Sequence, residues 1–413
     1  MEMVARLQYQ IMQFFIIAWS KRVTISMRLF GVFFQLIVVK FYASYLHSEE
    51  LGHLYLLFTI SYVLNAALLV PIDLLLQPIA LEYWKRCKSL SAVWRAHLHI
   101  ILFFICCALI LEFSFSYYDF GYFGYTTLLV VLALTQYWIG FARKYLNNIN
   151  KEAVSVFISI LDPAARATTL LITAYYGKIN ALFALLSAVL ALILVSIIII
   201  FWFFKKGLLQ YHQEAKDFKV MGLTKGIYHF SISGITNLLQ LQGYRLILVP
   251  MGFSSEVGIF ALMTQFGSTA TASAGTVFTQ MLQPSVYANH FENFSKYIKS
   301  IYGFIFAVLI SVALLAPFIA YYFTRPEYIK YSPLIIVGVL CEGANLLIGG
   351  YGIRAAISQN TKGTAKASIY GLIYFLILFA FLIFSEILNV WSIGIPLVTA
   401  QYVTVIYMRR YYA

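Results

Sequence analysis

The chain has 413 residues, of which 62% are hydrophobic and only 11% charged, with a mean hydropathy of +0.82. A soluble globular protein carries roughly 45–50% apolar and about 25% charged residues, so that class is excluded. The excess apolar surface has to face lipid, and the net charge of +13, with no basic tail, reads as positive loops held on one side of a membrane rather than as nucleic-acid binding.

Residues 1–20 hold a short apolar run, Ile11 to Trp19, followed by Lys21-Arg22 where a cleavable signal would need small residues. They read as an interfacial helix on the cytoplasmic face, leading into the first span. Apolar segments of about 20 residues or more then fall near 22–45, 53–80, 95–117, 124–147, 152–176, 179–204, 226–251, 258–288, 298–323, 331–353, 365–385 and 389–408. With the N-terminus inside, 22 Lys and Arg sort to inner ends and 4 (Lys40, Lys178, Arg325, Lys330) to outer ends, while Arg28, Arg166 and Arg245 lie within spans. An odd span count would scramble that alternation, so twelve helices with both termini cytoplasmic are expected. Cys87, Cys106, Cys107 and Cys341 show no metal spacing, and the chain has neither a phosphate-binding loop nor a catalytic constellation. No cofactor and no enzymatic activity are expected.

The chain also repeats itself. Ser48-Glu49-Glu50-Leu51-Gly52 joins spans 1 and 2, and Ser254-Ser255-Glu256-Val257-Gly258 joins spans 7 and 8, 206 residues later. Leu76-Gln77-Pro78 and Leu282-Gln283-Pro284 match at the same offset. Six spans per half make the repeats parallel, related by an axis along the membrane normal. The expected fold is an all-α polytopic membrane protein, with twelve transmembrane helices in two six-helix lobes around a central cavity. Residues 1–208 form the N-terminal lobe and 209–413 the C-terminal lobe, with the basic loop 205–225 as linker.

A charge at mid-bilayer costs at least about 2.5–3.5 kcal/mol on insertion scales, so each intramembrane charge needs a partner, a wet cavity or snorkelling. In span 1, Thr24, Arg28 and Gln35 share one face, and Lys40 lies near the outer end, as a cavity cation or a snorkelling one. Arg28 is about 9 Å above its inner end at 1.5 Å per residue, and Asp73 in span 2 lies at a comparable depth. An Arg28–Asp73 pair is expected, either as helix glue or as a resting counter-charge to an anion contact. Span 5 holds Asp162-Pro163 and Arg166, with the acid and base at i, i+4 on one face of a kinked helix; either a local ion pair or a cavity cation follows. Span 7 aligns Ser233, Asn237, Gln240 and Tyr244, with Arg245 at the edge. That stripe bonds neighbouring helices or faces a hydroxyl- and phosphate-rich ligand, for which amides, Tyr and Arg are suited. Span 8 carries the small-residue run Gly267–Gly275, read as close helix packing. In span 10 Glu342, with Asn345, has no sequence-local cation; it is protonated, paired with Arg166 or Arg245, or an ion-coupling acid.

Twelve spans, two six-helix halves, the Glu50-Leu51-Gly52 turn and the central cations together resemble the Wzx-type O-antigen and polysaccharide flippases of the multidrug/oligosaccharidyl-lipid/polysaccharide exporter superfamily. The resemblance covers essentially the whole chain and rests on architecture. It implies a flippase that moves an undecaprenyl-pyrophosphate-linked oligosaccharide across the bacterial inner membrane, with the polyprenyl tail left in the lipid bilayer beside spans 1 and 8. It implies as substrate-binding residues Arg28, Arg166 and Arg245, with Lys40, Gln35, Asn237, Gln240 and Tyr244, and as charge-pairing or ion-coupling residues Asp73, Asp162 and Glu342. The polymerase or ligase of the same glycan pathway would act downstream. A multidrug cation antiporter of the same superfamily is the alternative; the peptidoglycan-precursor flippase is similar but has fourteen spans. A membrane polysaccharide polymerase or ligase would be expected to show a large periplasmic loop, which this chain lacks.

Overall fold

The computed structural model describes residues 22–117, 125–149, 151–177, 179–209, 224–288, 294–358 and 361–412. The expected interfacial segment 1–20 and most of the inter-lobe linker lie outside the described residues. Among those described there are twelve long helices and no strand. They are α1 (Arg22–Tyr45), α2, α3 (Ser91–Tyr117), α4 (Tyr125–Asn148), α5 (Glu152–Tyr176), α6 (Ala181–Lys205), α7 (Thr224–Leu248), α8 (Ser254–Ala288), α9 (Phe294–Phe323), α10 (Leu334–Ile357), α11 (Lys362–Phe384) and α12 (Gly394–Tyr412). Helix α2 is composite: Ser48–Leu64, a π-helical turn Asn65–Leu69, then Val70–Cys87. The π turn ends just before Pro71, which has no amide hydrogen to continue a regular ladder.

These are the twelve spans of the sequence, arranged as two six-helix lobes. Nine of the helices are apolar enough along 18 residues to cross a bilayer by composition alone. The other three, α7, α8 and α12, owe their lower hydropathy to polar side chains turned inside the protein, among them the fully buried Gln240, Thr271, Gln401 and Thr404. Phe30, Ile197, Phe306 and Leu314 stand on the outer surface, as lipid-facing side chains do.

The repeat is visible in who packs on whom. Helix α1 lies on α5 as α7 lies on α11, α5 on α6 as α11 on α12, and α4 on α6 as α10 on α12. The lobes meet mainly along α2 and α8, at the end of the bundle formed by the 46–47 and 249–253 turns, called here the hairpin end. A Cβ on Gly52 would lie 2.0 Å from the Ser254 carbonyl oxygen, and one on Gly258 would lie 1.9 Å from that of Ser48. Only glycine lets the two backbones approach so closely. These are the two glycines of the repeated five-residue motif. The small-residue run of α8 serves the same end within its lobe, where Gly267 meets the Ile335 carbonyl and Gly338 of α10 meets that of Thr264.

Candidate functional site

A cavity of about 460 Å³ lies between the lobes, walled by α1, α2 and α5 on one side and by α7, α8 and α10 on the other. Pro163 sits in its wall, where its missing amide leaves the Ser159 carbonyl without a helical partner. Gly31 of α1 packs against that carbonyl. The lining carries four charged residues, Asp162, Arg166, Arg245 and Glu342, and the polar Gln35, Gln242, Gln265, Ser268 and Thr269. A smaller chamber of about 110 Å³ shares Arg245, Gln265 and Glu342 with it and reaches Tyr244, Thr264 and Cys341.

Arg166 and Asp162 form the i, i+4 ion pair of the sequence reading, Nε to Oδ1 at 2.7 Å, and both face the cavity. Arg245 is held differently. Its Nε donates to Tyr244 Oη at 3.0 Å and its Nη1 to Thr59 Oγ1 at 3.2 Å and Gln242 Oε1 at 3.3 Å. The guanidinium lies 5.0 Å from the Tyr55 ring centroid and 5.3 Å from that of Tyr244. Among the described residues no carboxylate lies within 4 Å of it, and Nη2 has no protein partner. Arg245 is therefore oriented by neutral groups, with no direct ion pair among the described residues.

Several expectations are corrected. Asp73 does not pair with Arg28; it pairs with Lys144 of α4 and accepts from Gln77 Nε2 at 3.1 Å. Asp73 is level with Arg28 only along a regular helix, whereas the π turn before Asp73 shifts the register of everything after it and aims this half of α2 at α4 and α7. Arg28, half-buried, has Arg143 and Glu152 as its charged neighbours instead. Asn237 and Gln240 are not cavity residues. Asn237 Nδ2 donates to Asn345, Gln240 Nε2 donates to the Ser368 carbonyl, and Gln401 Nε2 donates to both Asn237 and Gln240. The polar stripe of α7 thus bonds α10, α11 and α12. Glu342 forms no ion pair with Arg166 or Arg245, and accepts from Asn345 Nδ2 at 3.3 Å. Lys40 lies over the Phe323 ring of α9, 5.8 Å from its centroid, outside the cavity lining. Gln35 and Tyr244 do line the two spaces.

The sequence reading missed the aromatic side of the cavity, Tyr42, Tyr55 and Tyr62, and the amides Gln242 and Gln265. Gln265, Ser268, Thr269 and Ala272 share the i, i+3, i+4, i+7 spacing of one helix face, a signal hidden by the small-residue run that overlaps it. In α5, Glu152, Ser155, Ser159, Asp162 and Arg166 alternate steps of three and four, which marks a polar stripe along the N-terminal lobe.

No family model matches the chain, and no curated protein matches it in sequence. Solved structures do match in fold. The MATE multidrug transporter DinF-BH in complex with R6G superposes with a TM-score of 0.61 at 16% identity, over 95% of this chain and 94% of that one. The lipid II flippase MurJ in an inward closed conformation gives 0.64 at 16%, over 93% and 85%. An inward-facing multidrug resistance MATE transporter of the MOP superfamily gives 0.58 at 14%, over 94% and 98%. At such identities the likeness is one of fold: this chain has the two-lobed architecture that those transporters and that flippase share.

Proposed function

We propose that this protein is a flippase of the MOP superfamily that carries an undecaprenyl-pyrophosphate-linked oligosaccharide, an O-antigen repeat unit, from the cytoplasmic to the periplasmic leaflet of a bacterial inner membrane. The observation that carries this reading is Arg245: a guanidinium in a polar inter-lobe cavity, oriented by Tyr244, Thr59 and Gln242, with no carboxylate within 4 Å among the described residues. A pyrophosphate cannot cross about 30 Å of hydrocarbon unaided. Arginine supplies fork-shaped, charge-assisted hydrogen bonds in place of its lost water. Arg166 would join it when cargo displaces Asp162. Tyr and Gln side chains suit the sugar hydroxyls, while the isoprenoid stays in lipid.

The excess of Lys and Arg at the end opposite the hairpins supports a cytoplasmic position for that end, with both termini. Closure at Gly52 and Gly258 is then closure toward the periplasm, the inward-facing half of alternating access between residues 1–208 and 209–413. The membrane potential, negative inside, favours outward movement of an anion by about 2.3 kcal/mol per charge per 100 mV. The translocated unit would pass to the polymerase or ligase of the same glycan pathway.

One observation favours a second reading, export of a cation: Glu342 lines both spaces and has no cationic partner among the described residues, and the four cavity charges sum to zero. Deletion of the gene separates the two. Lipid-linked repeat units accumulating on the inner leaflet, with loss of surface glycan, are the expected result. Intact glycan together with sensitivity to cationic dyes would overturn the flippase reading in favour of antiport.

A further inference from the structure

The N-terminal lobe holds a second pair of arginines that the central cavity does not use. Helices α1 and α5 run in the same direction, and Gly31 of α1 faces Ser159 of α5, 3.5 Å from a built Cβ to the carbonyl oxygen. Arg28, one turn back along α1, is thereby level with the Ser155 turn of α5. Arg143 of α4 is tied to that same turn, its carbonyl accepting from Ser155 Oγ at 3.0 Å. The backbones that carry Arg28 and Arg143 therefore border one turn of α5 from two helices, at one depth. Each arginine is half-buried, and among the described residues neither makes an ion pair or a side-chain hydrogen bond. Their charged neighbours are each other, Glu152 at the start of α5, and Asp162 about two turns further in. Lys144, beside Arg143, is already neutralised by Asp73.

Two electrostatically coupled like charges in a lobe interior repel each other, and an anion placed between them relieves that repulsion. Guanidinium groups on separate helices can grip the two phosphates of a pyrophosphate, or two oxygens of one phosphate. The position fits a step on a path. It lies nearer the basic end than Arg166, about 16 Å away along α5 by helical rise, with Asp162 between the two levels and electrostatically coupled to arginines on both sides.

We propose that Arg28 and Arg143 form a receiving site for a phosphate or pyrophosphate head group, which the cargo occupies before it reaches Arg166 and Arg245. This inference rests on the proposed flippase reading and extends it to a second station. Asp162 then acts as the mobile counter-ion between stations, leaving Arg166 for Arg143 as the anion moves inward.

The test is binding by purified full-length protein in detergent, with geranylgeranyl pyrophosphate and inorganic pyrophosphate as probes. Wild-type protein is expected to bind both. Arg143→Gln should weaken binding at least tenfold, and Arg143→Lys about threefold or less, because charge is kept while the fork is lost. The Arg28→Gln, Arg143→Gln double variant should bind little worse than the weaker single, since both grip one anion. Tighter binding of the prenylated probe assigns the site to a lipid head group; equal affinities assign it to soluble phosphate. Wild-type affinity in Arg143→Gln, with loss in Arg245→Gln, overturns the receiving site alone. A wild-type protein that binds neither probe overturns the flippase reading with it. The Ser155 bond to the main-chain carbonyl survives in both variants, so equal losses in Arg143→Gln and Arg143→Lys would mean a folding effect and also count against the site.

Discussion

The Ser48 and Ser255 hydroxyls meet at 2.7 Å, one from each lobe, inside the motif that the two halves share. Around them, the Ser44 carbonyl at the end of α1 accepts from Arg325 Nη2 at 2.7 Å, which fastens the end of α9 to the N-terminal lobe as well. The repeat is thus the clasp of the hairpin end, and it can be locked or pried open. In a background without the four native cysteines, Ser48→Cys with Ser255→Cys should form a disulfide under oxidation. Surface glycan should fall to the level of the deletion strain and return on reduction. Gly258→Ala should act in the opposite sense, since its Cβ would have to displace the Ser48 backbone. Labelling of a Gln35→Cys probe by a membrane-impermeant maleimide from outside should rise several-fold. Unchanged labelling would mean that the clasp does not gate the cavity.

Arg245 is the side chain on which an anionic cargo depends most. Arg245→Ala removes the cavity cation that, among the described residues, makes no ion pair, and should reduce glycan display at least tenfold at equal membrane abundance. Arg245→Lys should recover part of it. An ammonium keeps the charge and the contact with the Tyr55 ring, but cannot bond Tyr244, Thr59 and cargo together. Equal display by Arg245→Ala and wild type would reduce this residue to helix packing.

The Arg166 and Asp162 side chains are 18% and 20% exposed, well short of a surface pair. Removing one partner strands the other in a half-buried site, so Asp162→Ala or Arg166→Ala alone should cost about 3 kcal/mol in unfolding stability. The double variant should recover a good part of that, as contacting residues do not add. Transport should not recover with stability, because Arg166 is also a cargo contact in the proposed function. A double variant that both folds and transports would assign the pair to structure alone.

How much of this was written in the sequence depends on the length of the interaction. Span number, the repeat and the Asp162–Arg166 pair were legible because they are carried by hydropathy, by a fixed offset and by an i, i+4 step, all local along the chain. The partner of Asp73 was not, since one π turn at Asn65–Leu69 shifts a face and leaves no reliable mark in composition. Nor did the stripe on α7 reveal its side: Asn237 and Gln240 have the same spacing whether they meet a ligand or Gln401 and Ser368. Only the position of α10, α11 and α12 decides that. Arg28 and Arg143, 115 residues apart in sequence, likewise come level only through α5.

That same buried network separates two polar roles in the C-terminal lobe. Gln240 is fully buried and bonds Ser368, Gln401 and Thr404. Gln240→Leu leaves those partners unsatisfied, and should lower stability by about 1–3 kcal/mol, with reduced protein in the membrane but near-normal transport per molecule. Glu342 stands at the other end of the chain of amides, where Asn345 donates to it and Asn237 donates to Asn345. Glu342→Gln keeps the shape and an acceptor but removes the charge. If the cargo is an anion gripped by Arg245, this variant should hold at least about half of wild-type glycan display, since it deletes a negative charge beside the path. If the cavity instead exports cations, the same substitution removes the acid of its lining that has no cationic partner among the described residues. Resistance to cationic dyes, measured in the same strain, should then collapse while glycan stays unchanged.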